Sequence, residues 1–163
     1  MYLKMVEESQ VKNAAKLIVE SIGAGMTERI YQNCIEAYLR KINTPFTSEQ
    51  EIPVMFLNEN MGNVRADLVV NGCLVVELKA TNHVSANHTT QCRMYMKLLK
   101  INKGLIINFP KSDDEELYFE NVHLTEDVPD CRRCGRQGHT AMKCYAKHHI
   151  NGNILNIPPL RSM

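Results

Sequence analysis

Three charged residues, Asp67, Glu77 and Lys79, lie in the stretch VRADLVVNGCLVVELKA at positions 64–80. Two runs of Val and Leu joined by Asn71-Gly72 read there as a β-hairpin with at least one buried face. Charge inside such runs is costly unless it is paired or put to use. Side chains alternate along a strand, so Cys73, Val75, Glu77 and Lys79 share one face, and Arg65, Asp67 and Val69 share one face of the partner strand. A two-residue loop at Asn71-Gly72 sets Asp67 across from Val76 and sends the carboxylates to opposite sides. A loop of odd length, such as three residues with Gly72 left-handed, returns them to one side. Two converging carboxylates repel each other and need a cation, and oxygen ligands with an open side suit Mg²⁺ or Mn²⁺. Such an ion polarises a phosphoryl oxygen and acidifies a bound water, while a neighbouring Lys orients that water or stabilises developing charge. A phosphodiester is the natural substrate for this set. The plain alternative is an outward-facing ion pair between Lys79 and Asp67 or Glu77 on a solvated sheet face.

A second constellation, CRRCGRQGHTAMKC at 131–144, has the spacing C-x2-C-x4-H-x4-C. So short a segment cannot bury a core, and three thiolates with one imidazole give Zn²⁺ four tetrahedral ligands: Cys131, Cys134, His139 and Cys144. Gly135 and Gly138 supply the tight turns of a small cage. The pattern resembles the CCHC zinc knuckle of nucleocapsid-type proteins, which implies binding of single-stranded RNA or DNA. Arg132 and Thr140 stand where such knuckles often carry an aromatic, which leaves Tyr145 as the nearby ring. The remaining signal is positive charge on Arg132, Arg133, Arg136, Lys143 and Lys147. It predicts salt-sensitive binding with little sequence selectivity.

The elements that must position these residues follow from periodicity. A first helix is expected over 5–21, with Ala14, Leu17, Ile18 and Ile22 apolar, and Gly23-Ala24-Gly25 interrupts it. A second, from about Met26 to Lys41, carries Tyr31, Cys34, Ile35, Tyr38 and Leu39 on one stripe and ends before Thr44-Pro45. Glu28 falls on that apolar stripe, an expensive place for a carboxylate. A strand over 52–57, a polar turn through 60–63 and the hairpin come next. A third helix over 85–99 follows, capped by Ser85, with Gln91, Tyr95 and Leu98 on one face and Arg93, Lys97 and Lys100 on another. His83 and His88 flank its start. The run GLIINF at 104–109 reads as a buried strand and LYFENVHL at 117–124 as an edge strand. The order predicts an α/β sandwich.

Residues 18–110 resemble the GxxExxY proteins, a branch of the PD-(D/E)XK nuclease-like superfamily. Gly25-Met-Thr-Glu28-Arg-Ile-Tyr31 matches the naming motif. Arg65-Ala66-Asp67 and Glu77-Leu78-Lys79 match the D...ExK signature, Gln91 and Tyr95 match a QxxxY helix, and Gly104 to Phe109 matches a closing GLLINF strand. The resemblance implies an αβββαβ nuclease-like sandwich. It also implies Asp67 and Glu77 as ligands of Mg²⁺ or Mn²⁺, Lys79 as the water-activating or charge-stabilising group, and Glu28 as a supporting acid. Gln91 would be the helix residue that touches the site. It implies a nuclease acting on DNA or RNA, single-stranded or structured, with a homodimer compatible. A protein that keeps the fold and docks nucleic acid without turnover is the alternative.

The 163 residues are about one domain's worth, which limits any second unit to a small one. The expected division is a nuclease-like domain over 1–122, an acidic linker over 123–130, the knuckle over 131–144 and a tail over 145–163. Charge is segmented: residues 1–112 hold thirteen Lys or Arg against ten acids, 113–130 hold eight acids and neither base, and 131–149 hold five bases and no acid. Net charge is only +1, so composition alone does not point to a polyanionic partner. Apolar runs are too short to span a membrane and the start lacks a secretory segment, so an intracellular protein, cytoplasmic or nuclear and not secreted, is expected. Cys34, Cys73 and Cys92, set among apolar residues, read as buried free thiols.

Overall fold

Helix α1 (Val6–Ile22) is the first element of the computed structural model, which describes residues 6–124. Val11, Ala14, Ala15 and Ile18 form its buried stripe. Leu17 and Ile22, expected on that stripe, are 49% and 40% exposed: Leu17 falls one position off the 11, 14, 15, 18 repeat, whereas Ile22 continues the repeat but is the last residue of the helix. Helix α2 (Glu28–Lys41) starts two residues later than periodicity predicts, since Thr27 is the N-cap and its hydroxyl accepts from the Ile30 N–H. Glu28 in its first turn and Arg40 and Lys41 in its last match the helix dipole. Tyr31, Ile35 and Leu39 are fully buried.

Five strands follow in the spatial order β1-β2-β3-β4-β5: β1 (Phe46–Phe56), β2 (Glu59–Val70), β3 (Leu74–Lys79), β4 (Lys103–Asn108) and β5 (Tyr118–His123). Neighbours are antiparallel except β3 and β4, which run parallel. A parallel pair needs a crossover, and α3 (Ala86–Leu99) supplies it. The expected strand at 52–57 begins earlier, at Phe46, because the polar run Thr47 to Glu51 pairs with β2. The expected turn at 60–63 is strand. The chain reverses instead at Leu57 and Asn58, both left-handed with φ of 49° and 66°, a two-residue reversal of the kind hairpins favour.

Two apolar layers enclose the sheet. On one face, Leu68, Val70, Leu74, Val76, Leu78, Leu105, Ile107 and Phe109 pack against α1 and α2. On the other, Ala66, Val69, Val75, Ile106 and Val122 pack with Cys92, Tyr95 and Met96 of α3. The result is an α/β fold with a five-strand mixed sheet and three helices. Ala66 and Leu68, two residues apart, belong to different layers, so the alternation of β2 breaks at Asp67 and Asp67 does not simply share a face with Arg65 and Val69. Strand β1 is irregular at the same level: Glu49, between the pairs Ser48–Leu68 and Gln50–Ala66, has φ of 52°.

The α3 stripe also differs from expectation. Cys92, Tyr95 and Met96 are buried and Leu98 is 38% exposed, so the helix is rotated relative to a Gln91-Tyr95-Leu98 face. Arg93, Lys97 and Lys100 are solvent-exposed. Of the three thiols, Cys92 is buried, Cys34 is half-buried and Cys73 is exposed, because Cys73 lies in the β2–β3 loop rather than in a strand. Burial pushes the Cys92 thiol up to about 12. No described helix is long and apolar enough to cross a membrane.

Candidate active site

Val70 pairs with Leu74, so the loop of the β2–β3 hairpin has three residues, Asn71, Gly72 and Cys73. Asn71 and Gly72 are both left-handed, with φ of 51° and 63°, and the Cys73 N–H closes the turn on the Val70 carbonyl. An Asn-Gly pair adopts these angles at little cost. The odd count sets Leu68 across from Val76, and the same register carried one step further brings Asp67 opposite Glu77.

The ladder stops at that level. The Leu78 N–H donates to Asp67 Oδ2 at 2.8 Å, so the aspartate side chain stands in for a strand carbonyl where β2 leaves β3. Lys79 Nζ lies 3.2 Å from Glu77 Oε2 and 4.0 Å from Asp67 Oδ2. Glu77 is only 1% exposed, and its Oε1 is buried with no hydrogen-bond partner.

These positions set the protonation chemistry. Burial, followed by the Asp67 charge, raises the Glu77 carboxyl to about 7 against the partial relief of Lys79. Burial also raises Asp67, opposed by the Leu78 N–H and by Lys79. Burial by itself would lower the Lys79 ammonium, yet Glu77, Asp67 and Glu28 together outweigh it and raise the group above its ordinary range. Lys79 is therefore a cation at neutral pH and has no lone pair to offer as a base.

Glu28 enters from the first turn of α2. It is half-buried and raised by that burial, with Lys79 opposing and Asp67 adding to the rise. Its placement depends on the segment before it. Gly25, at φ of 81°, donates its N–H to the Pro110 carbonyl at 3.0 Å, and a Cβ there would meet the Lys111 carbonyl at 3.3 Å. The Tyr31 hydroxyl accepts from the Met26 N–H at 3.3 Å and donates to the Gly23 carbonyl at 3.1 Å, while its ring stacks on Phe109 at 4.0 Å. The three named positions of Gly25-x-x-Glu28-x-x-Tyr31 are thus one device: a left-handed residue and a buried phenol fasten the start of α2 to the end of β4, and the acid follows.

Gln91 makes no hydrogen bond to the carboxylates. Its Nε2 donates to the Tyr95 hydroxyl at 2.8 Å, and Tyr95 is raised first by burial and then by Glu77, so this pair borders the site through the phenol. His83 is exposed, and His88 accepts the Ser85 N–H through Nδ1 at 3.2 Å, a capping contact. The knuckle residues Cys131, Cys134, His139 and Cys144, and with them Arg132, Arg133, Arg136, Lys143 and Tyr145, lie outside the described residues.

Several contributors carry no signal in a single sequence. Asn108 holds the exit of β3: its Oδ1 accepts from the Thr81 N–H at 3.0 Å and its Nδ2 donates to the Thr81 carbonyl at 2.8 Å. Gln32, 3% exposed, donates from Nε2 to Ser48, Glu49 and the Asp67 carbonyl. Arg29, Glu49 and Arg65 line an open cleft of about 530 Å³ with Glu28, Gln32 and Asp67. A smaller pocket of about 230 Å³ lies at the opposite end of β3, beside Gly72, Cys73, Leu74 and Lys103, away from these acids.

A PD-(D/E)XK nuclease superfamily profile matches residues 6–119, most of the chain and all of the elements that meet at this site. The chain belongs to the PD-(D/E)XK nuclease superfamily. Among solved structures, it is similar to SSO0001, with a TM-score of 0.48 and 21% identity over 71% of this chain and 59% of that one. It is also similar to an alkaline exonuclease (LHK-Exo) from Laribacter hongkongensis, with a TM-score of 0.41 and 12% identity over 54% and 51%. The chain thus spans 59% and 51% of the lengths of these two proteins. No curated protein matches it.

Superfamily membership implies a divalent metal, and the residues fit one. An orphaned buried carboxylate oxygen on Glu77 beside a second carboxylate is a hard-oxygen donor pair of the kind Mg²⁺ or Mn²⁺ takes. Among the described residues no group of three or more His, Cys, Asp or Glu side chains is gathered for a metal ion. Asp67 and Glu77 would therefore be the protein's ligands, with Glu28 acting from further out and water completing the shell.

Proposed function

We propose that the chain is a Mg²⁺- or Mn²⁺-dependent nuclease of the GxxExxY branch that hydrolyses phosphodiester bonds in DNA or RNA, with a zinc knuckle at 131–144 that brings it to nucleic acid. The observation that carries this reading is the meeting of Asp67 and Glu77 where the β2–β3 ladder ends, with Lys79 against both and one Glu77 oxygen left without a partner. A bound divalent ion would polarise the phosphoryl oxygen and lower the pKa of a water. Asp67 is oriented for such an ion by the Leu78 N–H. Glu77 would hold it as the carboxylate, having released its proton, and Glu28 would add negative potential from the rim. Lys79, held cationic by three acids in the metal-free chain, stabilises the charge that grows on the phosphoryl oxygens and orients the attacking water. Gln91 acts through Tyr95, as a support for the wall beside Glu77.

The test uses labelled single-stranded, double-stranded and branched DNA and RNA with Mg²⁺ or Mn²⁺. Wild-type protein should cut at least one of them, and Asp67→Ala and Lys79→Ala should each lower the rate by about 100-fold or more, the scale of losing one electrostatic stabiliser. Binding without metal-dependent cutting on any substrate would leave the docking protein and remove the hydrolase.

A further inference from the structure

Three elements bring charge together at the rim of the cleft, beside Asp67 but distinct from the Asp67-Glu77-Lys79 cluster. Arg29 comes from the first turn of α2, Glu49 from β1 and Arg65 from β2. Arg29 Nη1 lies 3.1 Å from Glu49 Oε1, and Arg65 Nε lies 2.6 Å from Glu49 Oε2. The arginine side chains are 63% and 64% exposed. We propose that Arg29 and Arg65 form a clamp for one backbone phosphate of the bound nucleic-acid strand, drawn together by Glu49; the choice of ligand rests on the nuclease reading of the neighbouring carboxylates.

Charge balance is the first argument. The cleft is lined by Glu28, Glu49 and Asp67, with Arg29 and Arg65 as its cations among the described residues. Lys79 is 12% exposed and already engaged by Glu77, so it offers little to a strand still outside the site. A polyanion approaching three carboxylates needs cations at the surface, and these two guanidiniums are the ones present.

Geometry is the second. The closest approach of Arg65 to Glu49 is through Nε, which lies on a different edge of the guanidinium from the fork of its two Nη groups. That end of a guanidinium is a planar fork whose donors match two phosphate oxygens. Arg29, held by one Nη, retains donors of its own.

The third is the effort spent on Glu49. Its backbone is left-handed at φ of 52° within a strand, a conformation disfavoured for a non-glycine residue. Its Oε1 also lies 3.0 Å from Nε2 of buried Gln32, whose two N–H donors are shared among Glu49, Ser48 at 3.1 Å and Glu36 at 3.2 Å. Exposed ion pairs contribute little to stability, so stability does not account for a strained, scaffolded carboxylate; a preset spacing of two cations does.

The experiment measures binding of the full, zinc-supplemented chain to a fluorescein-labelled single-stranded oligonucleotide without added Mg²⁺ or Mn²⁺ across a salt series. The Arg29→Ala/Arg65→Ala double variant should bind several-fold more weakly, with the slope of log affinity against log salt shallower by about 0.7, the signature of one phosphate. Arg65→Lys should keep the wild-type slope yet bind more weakly, because charge is retained and the fork is lost. Thermal unfolding of the double variant should stay within a few degrees of wild type, which separates the clamp from a role in folding. No binding by the wild type, an unchanged slope in the double variant, or a change of about 1.4 indicating two separate phosphates would each overturn the clamp. An unchanged slope in a protein that still cuts with Mg²⁺ leaves the nuclease reading standing. A shifted slope in a protein that does not cut removes that reading and keeps the clamp.

Discussion

Glu77 titrates near 7 because it is buried beside Asp67, well above its ordinary 4.5. Between those two values the folded chain holds a proton that the unfolded chain has released. Stability of the metal-free protein therefore falls as pH rises through that window. Asp67 and Glu28 are shifted in the same direction, so their contributions have the same sign. Denaturant titration in EDTA should find the protein less stable at pH 8 than at pH 5, by about 3 kcal/mol at most from Glu77, and Glu77→Gln should flatten the curve. Affinity for Mn²⁺ should climb toward neutral pH and then level off, since the ion competes with that proton. A metal-free stability that rises over this range would contradict the buried-acid arrangement. The Asp67, Glu77 and Lys79 set was legible in the sequence because charge inside a Val-Leu run is conspicuous. Gln32 and Glu49 were not, and Arg65 was visible only as the neighbour of Asp67 in its signature, because their meaning comes from partners on other elements and from a break in strand alternation that no periodic rule anticipates.

The elements show where local rules succeed and where pairing overrides them. Asn71-Gly72 announces a turn, but only the observed pairing of Val70 with Leu74 decides that three residues form the loop, and with it that the acids meet. Polar residues at 47–51 look like loop and become strand because β2 is there to pair with them, while the reversal at Leu57-Asn58 carries no glycine to mark it. The α2 entry is the clearest case of a motif with a mechanical meaning. Removing the Tyr31 hydroxyl as Tyr31→Phe leaves the Met26 N–H and Gly23 carbonyl without that partner, while the stack on Phe109 survives. We expect a loss of about 1–2 kcal/mol by urea denaturation. Because Glu28 follows directly from this segment, cutting should slow more than binding weakens. Equal losses in rate and affinity would mean that the phenol supports the fold without tuning the acid.

At the scale of the whole molecule, the sheet domain has apolar layers of its own, and the cysteine-histidine segment would by its sequence need another source of stability. The described domain has an apolar layer on each face of its sheet, built from residues 11–122, and so has its own source of stability. Segment 131–144 is too short for a core, and its C-x2-C-x4-H-x4-C spacing makes metal binding the candidate substitute. The two should therefore fail separately. Cys134→Ser should abolish zinc in a stoichiometry measurement and weaken nucleic-acid binding with a reduced salt slope, because the charge on Arg132, Arg133, Arg136 and Lys143 is no longer presented together. Unfolding of the sheet domain should keep its midpoint, since the apolar layers on both faces of its sheet are built from residues within 11–122. Zinc content that stays at the wild-type level would show the ligand set to be wrong. A falling midpoint would show instead that the stability of the domain depends on the segment and that the two do not fail separately.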